Sequence, residues 1–103
     1  MLLQITILIK MKNSDLEDIV FGRVLRKLRQ SADKTQEELS LDAGLNRNFI
    51  SLIELGQRRP TLKTLIQLSR GLRMPISEVM LHFEYEYRKS ENKDISGINS
   101  LLK

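Results

Sequence analysis

The stretch Thr35-Gln36-Glu37-Glu38-Leu39-Ser40-Leu41-Asp42-Ala43-Gly44-Leu45-Asn46-Arg47-Asn48-Phe49-Ile50-Ser51-Leu52-Ile53-Glu54-Leu55-Gly56 contains two helix starts and two helix stops in 22 residues. Thr35 with Glu38 three residues later is a capping box, which satisfies two backbone donors at the start of a helix. That helix ends near Asp42-Ala43-Gly44, where glycine permits a left-handed turn. Asn46 is a good N-cap for the next helix, which ends at Leu55-Gly56. Leu39, Ala43, Leu45, Ile50 and Ile53 are the apolar positions that hold the two short helices at a fixed, wide angle. Residues 36–55 are thus a helix-turn-helix by spacing. Such a unit can lay one helix in the major groove of DNA while the other bridges the backbone.

Working outward, the flanks also read as helices. Leu16, Ile19, Val20, Val24 and Leu28, widened by Phe21 and Leu25, recur at helical spacing and predict a first helix over residues 16–30. Asn13, Ser14 and Asp15 supply its N-cap oxygens, and Glu17 and Asp18 suit its positive end. Thr61 caps a fourth helix over residues 62–72, with Leu62, Leu65, Ile66 and Leu72 as its stripe and Gly71 weakening its end. Ser77 caps a fifth, with Ile76, Val79, Met80, Phe83 and Tyr87 on one face. From Lys89 onward apolar periodicity stops, which predicts a loose tail with Ile98, Leu101 and Leu102 as a weak anchor. At the amino end, Ile5-Thr6-Ile7-Leu8-Ile9 is β-branched and apolar and reads as a strand needing a partner, such as the same segment of a second subunit. The competing reading is an overextended start before Met11. The expected division is residues 1–12 as an extension with a short strand, 13–88 as the helical domain and 89–103 as the tail.

Composition narrows the function. The chain has 103 residues, 41% hydrophobic and 29% charged, which is one ordinary globular domain. It has no cysteine, so disulfide scaffolds, zinc ribbons and thiol catalysis are excluded. A single histidine, His82, argues against a histidine metal site or a Ser-His triad and suits a surface or interface position. No metal site, cofactor motif or phosphate loop is visible, so no enzymatic activity is expected. Glu37 and Glu38 are explained by the cap without acid–base chemistry, and Glu84 and Glu86 by a solvated helix end. The net charge is +4, and residues 43–80 carry Arg47, Arg58, Arg59, Lys63, Arg70 and Arg73 against Glu54 and Glu78 only. The excess is a local basic surface compatible with nucleic acid. The longest apolar run, residues 2–9, is far short of the roughly 20 residues that span a bilayer and lacks a leader's flanks. A cytoplasmic location is expected.

These residues also carry a resemblance. Thr35 to Leu39, Ala43-Gly44-Leu45, Ile50-Ser51 and Ile53-Glu54-Leu55-Gly56 resemble the signature of the Cro/repressor-type helix-turn-helix family, often called the XRE family. Arg58-Arg59-Pro60-Thr61-Leu62 with Thr64-Leu65 match the loop and helix that follow. The resemblance covers about residues 16–83, and the stretch from Asn46 to Ser51 further resembles controller proteins of restriction–modification systems. It implies an all-α, five-helix, lambda-repressor-like fold. It also implies roles: Gln36 binds phosphate and braces the recognition helix, and Asn46 is a cap that touches phosphate. Arg47, Asn48 and Leu52 form the base-reading face, and Ser51, Arg58, Arg59, Thr61 and Lys63 contact the backbone. Arginine bonds guanine and asparagine bonds adenine in bidentate fashion, whereas Leu52 offers only apolar contact, a departure from relatives with a polar group there. Phe49 either packs inward or lies against the sugar-phosphate edge. Arg29 and Glu54 form a structural ion pair, the competing assignment of Arg29 being a phosphate contact.

The function so implied is a sequence-specific transcriptional regulator acting as a homodimer on palindromic double-stranded operator DNA, without a cofactor. A single recognition helix reads too few base pairs for useful specificity, and two-fold dimers solve this. Ile76, Val79, Met80 and Phe83 are the expected dimer interface. The alternative is an antitoxin that represses its own promoter and binds a toxin through the segment from Lys89.

Overall fold

A computed structural model of the chain describes the backbone of residues 2–102 and the side chains of residues 16–92. It contains helices α1 (Leu2–Ser31), α2 (Gln36–Ala43), α3 (Arg47–Glu54), α4 (Leu62–Leu72) and α5 (Ile76–Leu102). Helix α1 packs against α3 and α5, α2 against α3 and α4, and α4 against α5.

The two short helices are delimited by the expected caps. Thr35 Oγ1 accepts from the Glu38 N–H, and the Glu38 carboxylate accepts from the Thr35 N–H at 3.1 Å, closing the capping box. Gly44 terminates α2 at φ 68°, a left-handed conformation that suits glycine. Asn46 Oδ1 accepts from the Asn48 N–H at 2.7 Å and starts α3. Thr61 Oγ1 does the same for the Thr64 N–H at the start of α4.

One core joins all five helices. Leu25, Leu39, Ile50, Ile53, Leu68 and Val79 are its fully buried side chains. Phe21, Ala43 and Leu72 complete it, with Phe49, Leu45, Leu65, Met80 and Phe83 packed at its margin. Leu68, absent from the stripe expected for α4, is central. Leu62 is 69% exposed and Ile66 and Ile19 both 37%. The apolar face of α4 is therefore rotated toward Leu68, Leu72 and Leu65. Close approach between helices rests on two glycines. A Cβ on Gly22 of α1 would lie 2.4 Å from the Ile53 carbonyl oxygen of α3. One on Gly71 of α4 would lie 2.9 Å from both the Ala43 Cβ and Leu39 Cδ1 of α2. Gly71 sits inside α4 as a packing contact, where the sequence suggested only a weak end.

Three expectations are corrected. Residues 5–9 lie within α1 and form no strand, and no strand occurs among the described residues. Within a single chain a strand there has no partner for its backbone, whereas a helix satisfies each N–H and C=O internally. For the same reason Asn13, Ser14 and Asp15 do not cap α1, which passes through them. The loose tail is likewise replaced by helix, because α5 continues to Leu102. Residues 88–96 contain neither proline nor glycine, so nothing breaks the ladder. The Arg88–Glu84 ion pair at 2.7 Å and Lys89–Glu86 at 3.9 Å, spaced four and three residues apart, support it. The side chains of Ile98, Leu101 and Leu102 lie outside the described residues.

Candidate nucleic-acid interface

Helix α3 is fixed from behind and presented in front. Ile50 and Ile53 are wholly buried, and Phe49 packs at the core margin, which decides between its two readings in favour of the inward one. On the other side Asn46, Arg47 and Asn48 are exposed at the helix start, while Ser51 and Leu52 are half-buried one turn later. The Asn46 side-chain oxygen is used by the cap, and its amide group remains as a donor. Arg47 and Asn48 carry no role in the core, so their donors and acceptors point outward from a helix that cannot rotate.

What fixes the angle of α3 is a buried carboxylate. The Glu54 side chain is fully buried at the end of α3. Arg29 of α1 donates to it twice, Nε to Oε2 at 2.6 Å and Nη2 to Oε1 at 3.0 Å. Gln36 of α2 donates at 3.1 Å and Arg26 of α1 at 3.3 Å. The structure thus brings Arg29 and Glu54 together as a bidentate pair and places Gln36 on the same carboxylate, linking α1, α2 and α3. The third Arg29 nitrogen, Nη1, donates to the Lys34 carbonyl at 2.8 Å, so this guanidinium is spent inside the protein. Burial pushes the Glu54 carboxyl up. The hydrogen bonds from Arg29, Gln36 and Arg26 and the Arg29 charge outweigh it and hold the group below the usual glutamate range. The Arg29 guanidinium is correspondingly held above its ordinary value, chiefly by the hydrogen bond to Glu54.

The basic residues after α3 divide into two kinds. Arg58 and Lys63 are exposed and make no ion pair with the described residues. Arg59 instead reaches back to α1, to Asp18 at 3.0 Å and Glu17 at 3.1 Å. It holds the loop before α4 against the first helix. Thr61 caps α4 with its hydroxyl 3.0 Å from that of Thr64.

The residues expected at a dimer surface also divide. Val79 is 1% exposed and belongs to the core of the single chain. Ile76, Met80 and Phe83 are half-buried, with the Phe83 ring 6.1 Å from Phe21 and 5.4 Å from Tyr87. Among the described residues of α5, the large apolar side chains that stand exposed are Leu81 and Tyr85, each 65% exposed.

Besides those of Arg59, further contacts were not read from the sequence. Arg26 joins the Glu54 cluster, and its position one helical turn before Arg29 was the available sign. Lys34 Nζ donates at 2.6 Å to both Asp42 and the Gly71 carbonyl, tying the turn after α1 to α2 and α4, and this holds the exposed Asp42 carboxyl below its ordinary value. Arg47 Nε lies 3.8 Å from the Glu37 carboxylate. No group of side chains suited to a metal ion occurs among the described residues, and among them no helix is long and apolar enough to cross a membrane.

A family profile described as "Helix-turn-helix" matches residues 25–79. The control protein C.MunI of a Mycoplasma species is 38% identical over 69 residues, covering 66% of this chain and 93% of that protein. The crystal structure of the restriction–modification controller protein C.AhdI from Aeromonas hydrophila superposes with a TM-score of 0.59 at 33% identity, covering 64% of this chain and 97% of that one. The controller protein C.Esp1396I, crystallised as a tetramer with its natural 35 base-pair operator, superposes with a TM-score of 0.64 at 30% identity. That match covers 70% of this chain and 93% of the controller.

Proposed function

This chain belongs to the XRE-type helix-turn-helix family of DNA-binding transcriptional regulators, and we propose that it acts as a homodimer on palindromic operator DNA in the manner of restriction–modification controllers. The observation that carries the reading is the two-sided character of α3. Ile50, Ile53 and Glu54 are locked into the interior, while Arg47 and Asn48 stand exposed at its first turn. A rigid helix with guanidinium and amide groups at its start is suited to bidentate reading of guanine and adenine in the major groove. Arg58 and Lys63 follow on the adjoining loop and helix start, where they neutralise phosphate and release counterions. Asn46 contributes an amide donor to the same backbone. Gln36 acts chiefly as a brace through Glu54, and Arg59 contributes by holding its loop. The dimer contact is assigned to α5, through Leu81 and Tyr85 with the exposed edges of Ile76, Met80 and Phe83. The operator-bound tetramer of C.Esp1396I supports this assembly on DNA by relationship.

The test is selection from a random duplex library at physiological salt. The expected result is an enriched palindrome whose half-sites lie about 10–10.5 base pairs apart, or a multiple of that spacing. Recovery of no common sequence, with only weak salt-sensitive binding, overturns the specific reading.

A further inference from the structure

We propose that Glu37 determines the base specificity of the recognition helix by holding the Arg47 guanidinium in its reading position. The inference rests on the DNA-binding reading above and deepens it. Glu37 lies in the first turn of α2 and Arg47 in the first turn of α3, so the pair spans the two helices of the motif. The Glu37 carboxylate lies 3.8 Å from Nε of Arg47, close enough for charge attraction yet too long for a hydrogen bond. It therefore steers the side chain without consuming its donors, and the terminal nitrogens stay available for a guanine edge. The platform is firm. Gln36, the preceding residue, is tied to the buried Glu54 at 3.1 Å, and the capping box sets the start of α2 with Thr35 and Glu38. Glu37's own carboxylate has no part in that cap.

The charge of Glu37 supplies a second effect. An exposed carboxylate on a surface that meets phosphates repels DNA of every sequence, and the repulsion is offset only where Arg47 finds its base. An arginine left unsteered at the end of a flexible stem samples other contacts, phosphates among them. Glu37 therefore raises the ratio of specific to non-specific binding from both sides. A residue that merely favours the helix dipole does neither of these things.

The experiment measures binding of the wild-type chain, Glu37→Gln, Arg47→Ala and the double variant. The probes are the duplex that wild type selects from a random library, its single-base-pair variants and a random-sequence duplex. Glu37→Gln is expected to keep the thermal midpoint, to bind random duplex more tightly, and to lose about two- to fivefold of discrimination at the base pair that Arg47→Ala relaxes. In the Arg47→Ala background, Glu37→Gln is expected to change discrimination at that pair no further. A Glu37→Gln preference profile that superimposes on wild type overturns the inference. Equal weakening on every duplex, accompanied by a lower thermal midpoint, also overturns it and returns Glu37 to helix stabilisation. Wild type that shows no base preference at all overturns the DNA reading on which the inference stands.

Discussion

Glu54 is where a single side chain organises three helices, and its removal has a calculable cost. In Glu54→Ala the Arg29 guanidinium, whose side chain is only 12% exposed, loses both hydrogen bonds of its bidentate pair. Breaking a buried pair from one side costs about 3–5 kcal/mol. The lower end applies, because Arg26 is 47% exposed and turns to water, and Arg29 keeps its bond to the Lys34 carbonyl. The expected loss is therefore about 3 kcal/mol, or a thermal midpoint lower by about 12–24 °C in a domain of this size. Arg29→Ala costs less, about 2 kcal/mol, since Arg26 and Gln36 still bond the carboxylate. The double variant has no uncompensated charge, so it falls short of the sum by about 1–2 kcal/mol. Urea unfolding followed by far-ultraviolet circular dichroism measures all three. Losses in the double variant that equal the sum of the two singles refute the assignment of Glu54 and Arg29 as one coupled unit.

Four further outcomes are expected. The folded protein holds the Glu54 carboxyl below the ordinary glutamate value of about 4.3, so its stabilisation is complete above that value and is lost as pH falls through the depressed one. The stability difference between wild type and Glu54→Gln should accordingly shrink in acid, and a constant gap would contradict the pair's ionic character. Arg47→Ala should relax preference at one base pair by about 1–3 kcal/mol, whereas Lys63→Ala should weaken every sequence alike and flatten the salt slope by about one unit. Identical behaviour of the two variants would erase the distinction between reading and gripping residues. Gly22→Ala forces a Cβ against the Ile53 and Glu54 carbonyl oxygens and should cost about 1–3 kcal/mol in urea unfolding. Gly71→Ala, which meets mainly side-chain atoms of Leu39 and Ala43, should cost less. Leu81→Glu, at a site 65% exposed, should alter folding by no more than about 0.5 kcal/mol while shifting sedimentation toward monomer. An unchanged dimer would remove α5's outer face from the assembly.

Much of this was legible because it is local. Thr35 with Glu38, Asn46, Gly44 and Thr61 are short-range devices whose partners lie within three or four residues, and the sequence contains both halves of each. The core of the helix-turn-helix was legible through Leu39, Ile50 and Ile53 for the same reason. The rotation of α4 toward Leu68 was not, since Leu62, Leu65, Ile66, Leu68 and Leu72 offer more than one apolar face and only the neighbouring helices choose between them. Long-range polar contacts were legible only where the family resemblance supplied them. It implied Arg29 with Glu54, but the links from Arg59 to Glu17 and Asp18, and from Lys34 to Asp42 and Gly71, join residues far apart in sequence. Nothing in the local pattern marks those pairs. The amino-terminal helix was missed because β propensity at Ile5, Ile7 and Ile9 describes a fit to a pleated neighbour, and the single chain offers none.

The proposed DNA-facing surface is the first turn of α3, flanked by Arg58 and Lys63. Titrating the isotopically labelled protein with its selected duplex and following backbone amide chemical shifts tests it residue by residue. The largest changes are expected at Gln36, Asn46 to Leu52, and Arg58 to Lys63, with the α5 surface around Leu81 and Tyr85 unmoved once the dimer is saturated. Changes centred on α5 with the start of α3 unperturbed would contradict it.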